Sequence, residues 1–301
     1  MSNAKESSVL GPAAVFQLID ELREEMALPG GSGFQSYVAR NRKMGPHTYD
    51  LWITDPVAEA WYNGSERHDT RETSWCLAHI REGMKIADCG AHHGCFTVVL
   101  YKAVGPTGGV WAWEALPKNA AVIEKNLTLN QCTNAIVRPF ALGNERKRMP
   151  LLASDSGNTV LARQDAQETD ETDTIEVECV RLDEEVARDI RVDFIKIDVE
   201  GSDLQMMRGA QRVLSQRPII DLEIHNFLYQ DPRATLSEMF GMLAPLQYVY
   251  SVLPSPDDGA VQPVGWNIDL SELASYYNPH VFCLPVWGQT AQSAGKRRRW
   301  W

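Results

Sequence analysis

No two of the chain's cysteines form a CxxC pair, no apolar run approaches the ~20 residues needed to cross a membrane, and basic residues are outnumbered by acidic ones. Each absence excludes a class. Cys76, Cys89, Cys95, Cys132, Cys179 and Cys283 are scattered, which argues against a zinc framework or disulfide scaffold and for reduced, packing thiols. With 29 Lys and Arg against 40 Asp and Glu, the net charge of -11 disfavours phosphate contacts, so nucleic acid is not an expected partner. The N-terminus lacks a basic start followed by an apolar stretch, and the expectation is a soluble, cytoplasmic protein without a membrane span. What is present suffices for a full core: 44% of 301 residues are hydrophobic, which suits one α/β domain with an N-terminal extension.

The chain is organised around Lys85 to Thr97, KIADCGAHHGCFT, which reads as strand, glycine turn and helix. A buried strand ending on Asp88 and turning through Gly90 and Gly94 aims the next helix's N–H groups at whatever lies above, so the turn predicts a ligand cradle. A dinucleotide turn needs a second glycine where backbone meets pyrophosphate, and here that position is His92. The Asp-x-Gly-x-x-x-Gly spacing suits a smaller anionic group such as an amino-acid carboxylate, and it opposes an NAD-dependent oxidoreductase.

Around this turn the spacing predicts an N-terminal helix (Val15, Leu18, Ile19, Leu22, Met26), stopped by Pro29-Gly30-Gly31. Tyr37, Tyr49, Trp52, Trp61 and Tyr62 either line an acceptor pocket or pack the extension down, and packing is favoured. A helix is expected from Thr73 to Arg81. The second strand, Gly109 to Glu114, ends on a carboxylate placed to accept hydrogen bonds from a ribose diol. A helix from Pro117 and a third strand from Ala135 to Leu142 follow. Met149 to Val180 interrupts the rhythm with short β-like pieces and an acidic loop from Asp165 to Asp173. In Asp193 to Gly201, DFIKIDVEG, the residues Lys196, Asp198 and Glu200 share a face. In Pro218 to His225 the residues Asp221, Glu223 and His225 do the same. Charges on central parallel strands need a reason, because such strands are normally apolar on both sides. Leu204 to Leu214 and Leu236 to Leu243 read as helices, and Tyr248 to Leu253 and His280 to Val286 as the closing strands. The expected organisation is an N-terminal extension over 1–70, helical and partly flexible, a catalytic domain over 71–288, and a disordered basic tail over 289–301.

IADCGAHHGCFT, WEALPKN with NLTLN, VRLDEEV, FIKIDVEG and PIIDLEIH together resemble, in order, the FkbM family of S-adenosylmethionine-dependent methyltransferases, with KIDVEG the most specific. His92 stands where the family usually has asparagine. The resemblance implies a Rossmann-like methyltransferase fold: an α/β, seven-stranded, mostly parallel sheet with helices on both faces and an antiparallel last strand. It implies S-adenosyl-L-methionine as cofactor, held by Asp88, Gly90, Gly94, Glu114 and Asp198, and methylation of an oxygen on a small-molecule or glycan acceptor. The polar ends of strands four and five then supply the base, with His225 and Glu200 as the catalytic residues; crowding by carboxylates tunes such groups toward neutral pH. No dedicated metal-ligand loop is visible, so no metal is expected. A noncatalytic protein that keeps the fold is the remaining alternative, which fold alone does not exclude.

Overall fold

A computed structural model describes residues 34–63, 71–153, 156–157, 159–161, 174–255 and 260–286. The expected helix from Val15 to Met26, the acidic stretch Asp165 to Asp173 and the basic tail 289–301 lie outside the described residues. The described part of the extension is an antiparallel hairpin, β1 (Tyr37–Met44) and β2 (His47–Ile53), rather than helix alone. Gly45, at φ 53°, makes its turn possible, because only glycine adopts that conformation without strain. Helix α1 (Pro56–Tyr62) follows, started by Asp55, whose carboxylate accepts from the Ala58 N–H at 2.9 Å. Next is α2 (Arg71–His79).

Strand and helix then alternate through β3 (Lys85–Cys89), α3 (Cys95–Val104), β4 (Gly109–Trp113), α4 (Pro117–Leu129) and β5 (Ala135–Arg138). The rhythm breaks at β6 (Ala141–Leu142), β7 (Lys147–Ala153), β8 (Thr159–Leu161) and β9 (Thr174–Val180). It resumes with α5 (Leu182–Glu185), β10 (Phe194–Ile197), α6 (Asp203–Arg208), α7 (Gln211–Ser215) and β11 (Ile219–Glu223). The chain closes with α8 (Pro232–Leu243), β12 (Tyr248–Leu253), β13 (Gln262–Gly265), α9 (Leu270–Leu273) and β14 (His280–Pro285).

The main sheet has the order β13-β12-β14-β11-β10-β3-β4-β5. From β5 through β11 the strands run parallel, and β14 enters antiparallel between β11 and β12. These are the seven expected strands of a Rossmann-like α/β sheet, and β13 adds an eighth, antiparallel to β12. Its centre is apolar on one side, where Ile195, Ile197, Ile220 and Leu222 have no exposure, while the other carries buried Phe194 together with Asp88, Lys196 and Asp221.

Three segments differ from the sequence expectation for local reasons. Ala135 to Leu142 is two strands in two sheets, because Pro139 has no N–H to continue a ladder. The β-like pieces from Met149 to Val180 form a separate four-stranded sheet, β6-β9-β7-β8. The helix expected over Leu204 to Leu214 is broken into α6 and α7 at Gly209, where an added Cβ would lie 1.9 Å from the Gly143 carbonyl oxygen.

The hairpin sits on α3 and α4. Asn126 ties it down by accepting from the Trp52 N–H at 2.7 Å and donating to the His93 carbonyl at 2.9 Å. Trp52 and Tyr49 are buried, as the packing reading required. All six cysteines are buried and unpaired. Among the described residues no helix is long and apolar enough to cross a membrane.

Candidate functional site

The C-terminal ends of β3, β4, β10 and β11 lie side by side, the position where open α/β sheets place their ligands. Gly90, at φ 89°, follows β3, and a Cβ there would fall 1.6 Å from the Asp198 carbonyl oxygen. Its glycine is therefore demanded by the neighbouring strand end, which also donates from Asp198 N–H to Cys89 O at 2.9 Å. Gly94, at φ 75°, packs its bare Cα against Ile123, where a Cβ would meet Cγ2 at 2.8 Å.

The expectation of N–H groups left free through this turn needs correcting. Gly90 and Ala91 both donate to the Trp113 carbonyl, at 2.9 and 3.1 Å, and His92 N–H donates to Glu114 Oε2 at 2.8 Å. The turn is wired to β4 and to the carboxylate that follows it. Asp88, fully buried, accepts from Thr97 Oγ1 at 2.5 Å, and burial pushes its pKa up to about 6.

Above the turn lies a cavity of about 620 Å³, part of it open to solvent. Gly90, Glu114 and Asp198 line it, with Trp113, Ala115, Phe140, Leu142 and Leu151 as apolar wall. Asp88 and Gly94 do not line it; they shape the turn. Glu114 is 5% exposed and its carboxylate also accepts from Leu116 N–H at 2.9 Å; burial pushes its pKa up to about 7. Trp61 closes one side. A Cβ on Gly157 would lie 2.3 Å from its ring, which stands 4.9 Å from that of His92. Tyr62 meets His92 Nδ1 at 2.6 Å, and burial lowers the His92 pKa well below its usual value, so the ring is neutral. The aromatic stretch thus serves both roles, Trp52 in packing and Trp61 at the cavity.

Beyond Asp198 the polar faces of the strands converge. Lys196 stands in register between Asp88 on β3 and Asp221 on β11. Its ammonium lies 2.9 Å from Asp198 Oδ2 and 3.7 Å from both Glu72 Oε1 and Glu223 Oε2. His280, from β14, meets Asp221 Oδ1 at 3.0 Å. Burial opposes charge on His280, but Glu72, Glu223 and Asp221 outweigh it and raise its pKa to about 10. Glu72 and His280 join the cluster from α2 and β14, and no sequence pattern pointed to them.

His225 and Glu200 do come together: His225 Nε2 faces Glu200 Oε2 at 3.4 Å, with Asp198 Oδ1 at 3.8 Å and Glu223 Oε1 at 3.9 Å. Glu200 reaches it from a left-handed backbone, φ 44°, uncommon for a residue with a Cβ. Burial would lower the His225 pKa, but Glu223, Asp203, Asp198 and Glu200 raise it above its usual value. Burial, with the neighbouring Asp198, Glu223 and Asp203 carboxylates, pushes Glu200 up to about 8 against the pull of His225. Two groups, Glu72 with Asp221 and His280, and Asp198 with Glu200 and His225, bring donor atoms within 4.8 Å. Lys196 already neutralises members of both, at 2.9 and 3.7 Å, so an ion-pair network accounts for them.

The donor set fits a nucleoside bearing a positive charge: acceptor-only carboxylates for a diol and a cation, and a flat apolar wall for a base. The family model described as Methyltransferase FkbM domain matches residues 88–257. "Methyltransferase 1" of Beauveria bassiana (strain ARSEF 2860) is 27% identical over 143 residues, 41% of this chain and 57% of that protein, so the chain spans just over half of that relative's length. An O-methyltransferase from Bacillus cereus, solved with SAH, is 13% identical at TM-score 0.41, covering 92% of this chain and 93% of its own. An rRNA methylase from Streptococcus thermophilus is 9% identical at TM-score 0.43, covering 78% and 98%.

Proposed function

Because the chain belongs to the FkbM methyltransferase domain family, we propose that it methylates a hydroxyl of a small-molecule or glycan acceptor with S-adenosyl-L-methionine. The observation that carries the oxygen chemistry is the Glu200–His225 pair, 3.4 Å apart, at the acceptor side of the cavity that Gly90, Glu114 and Asp198 line. The cofactor, when bound, supplies an electrophilic methyl group on a sulfonium. Glu114 would accept from its ribose hydroxyls and Asp198 would face its cationic part, with Ala115, Phe140 and Leu142 available to its base.

A hydroxyl must lose its proton as its oxygen is alkylated, and a positioned base contributes to that step. The expected roles of His225 and Glu200 separate here. Four carboxylates raise the His225 pKa above its usual value against burial, which favours the protonated ring that has no lone pair to offer. Glu200, at about 8, is the group that gains a free carboxylate within reach of physiological pH. Glu200 Oε2 takes the proton, and His225, with Nε2 at 3.4 Å, positions that carboxylate. Buried, unpaired thiols support the cytoplasmic setting.

Calorimetry with S-adenosylhomocysteine tests the cofactor, and absence of binding refutes the proposal. Labelled-methyl transfer identifies the acceptor. With it in hand, the single-turnover rate should rise with an apparent pKa of about 8. Glu200→Gln should remove that limb and lower the rate by roughly 10²–10⁴-fold with cofactor affinity unchanged. A mutant that keeps its rate shows that alignment alone suffices.

A further inference from the structure

Phe227 and Tyr277 are the two most exposed large apolar side chains among the described residues, at 47% and 71%, and they stack on one another with centroids 4.3 Å apart and planes 5° from parallel. Single exposed aromatics are ordinary, whereas a stacked pair left facing solvent is a ready-made platform. Its position gives it a purpose. Phe227 presents its ring at 5.9 Å to His225, whose Nε2 lies 3.4 Å from Glu200. The 226–228 turn packs on the Glu200 loop, since a Cβ on Gly201 would meet Leu228 Cβ at 2.9 Å. The platform therefore adjoins the proposed base through Phe227 and His225.

The polar groups beside it narrow the ligand. Asp198, Glu200 and Glu223 are carboxylates with side chains 26%, 25% and 16% exposed, and when ionised they only accept hydrogen bonds. The basic groups of the cluster are already turned to its carboxylates: Lys196 to Asp198, Glu72 and Glu223, His225 to Glu200, Asp198 and Glu223, and His280 to Asp221. A phosphate or carboxylate on the acceptor would meet like charge. A phenol offers a flat face but one donor. A sugar ring offers both an apolar C–H face for the aromatic pair and several hydroxyl donors for the carboxylates.

We propose that Phe227 and Tyr277 form the acceptor subsite and that it takes a neutral sugar ring, in a free glycoside or at the end of a glycan. This rests on the methyl-transfer reading above. The ring hydroxyl oxygen forms the bond to the methyl carbon as the carbon–sulfur bond breaks, its proton passes to Glu200, and the sulfur leaves as the neutral thioether S-adenosylhomocysteine.

The test uses the full chain with methyl-labelled S-adenosylmethionine on small-molecule and macromolecular fractions of an extract of the source organism, with mass spectrometry locating the label. Label on a sugar oxygen is expected, and the fraction that carries it tells glycoside from glycan. Phe227→Ala and Tyr277→Ala should each raise KM for that acceptor roughly 3- to 10-fold, the weight of one aromatic contact, with S-adenosylhomocysteine affinity unchanged. Tyr277→Leu keeps apolar bulk without the ring and should behave like Tyr277→Ala. Label on a phenol, lipid chain, peptide or nucleotide, no labelled product, or an unchanged KM in the folded variants overturns the proposal. Failure of the wild-type protein to bind S-adenosylhomocysteine would instead sink the methyl-transfer reading.

Discussion

Replacing Lys196 by methionine keeps an apolar stem of similar length and removes only the charge that the buried cluster is built around. Its ammonium, on a side chain 8% exposed, lies 2.9 Å from Asp198 and 3.7 Å from Glu72 and Glu223. Breaking a buried ion pair from one side costs about 3–5 kcal/mol, because the stranded carboxylates stay buried without a counter-charge. That is a large share of the roughly 5–15 kcal/mol by which domains are stable. At roughly 2–4 °C per kcal/mol, Tm should fall by about 6–20 °C near neutral pH. The loss should also depend on acidity. Burial would raise the Glu223 pKa, but His280, Lys196 and His225 hold it down at about 2. A folded-state value below the unfolded one stabilises above about pH 4.3 and is lost as pH falls toward the folded value. Lys196→Met removes part of that depression, so the gap to wild type should narrow between about pH 5 and pH 3. Thermal melts by circular dichroism at both ends of that window measure it. An unchanged Tm near neutrality, or a gap that does not narrow in acid, would refute the account of the cluster.

Glu114→Ala should weaken S-adenosylhomocysteine by roughly 1.5–3 kcal/mol, tenfold or more by calorimetry, while Glu114→Gln, which keeps an acceptor for the His92 or Leu116 N–H, should lose less. His280, raised to about 10, contributes stability fully below its unfolded value near 6.5 and loses it as pH rises through the folded value, so Tm should fall toward about pH 10. His280→Gln should flatten that decline even though it lowers Tm at neutral pH. Gly90→Ala, with its Cβ 1.6 Å from the Asp198 carbonyl, should be strongly destabilised or fail to fold, whereas Gly241→Ala, exposed in α8 with nothing within 4 Å of the added carbon, should gain about 0.5–1 kcal/mol. Equal melting temperatures for the two variants would show that the β3–β10 junction tolerates a side chain.

What the sequence disclosed of the fold follows from how each strand is buried. Strands β3, β4, β10 and β11 are short, mostly apolar runs bounded by turn residues, so they were legible one by one. The hairpin β1–β2 was not, and of the sheet β6-β9-β7-β8 only short β-like pieces were, without their pairing. YVARNRKM and KRMPLLA carry charges or proline within the strand, and β6 is two residues long. Their pairing is fixed by partners distant in sequence, such as Leu142 beside Val180, which no local period announces.

The site was legible only as far as a period of two reaches. Alternation placed Lys196, Asp198 and Glu200 on one face and Asp221, Glu223 and His225 on another, and these do converge. It left out Glu72 and His280, which arrive from a helix and an antiparallel strand, and it gave no sign that the Asp198 carbonyl stands against Gly90. The same omission left the choice between His225 and Glu200 open. An isolated imidazole near pH 6.5 looks poised for proton transfer. Set among Glu223, Asp203, Asp198 and Glu200 its pKa is raised, which disfavours the neutral base, and buried Glu200 is the group moved toward neutrality. Which member of an acid–histidine pair acts as base is decided by the charges that surround both, and here those charges come from β10, the loop after it, α6 and β11 together.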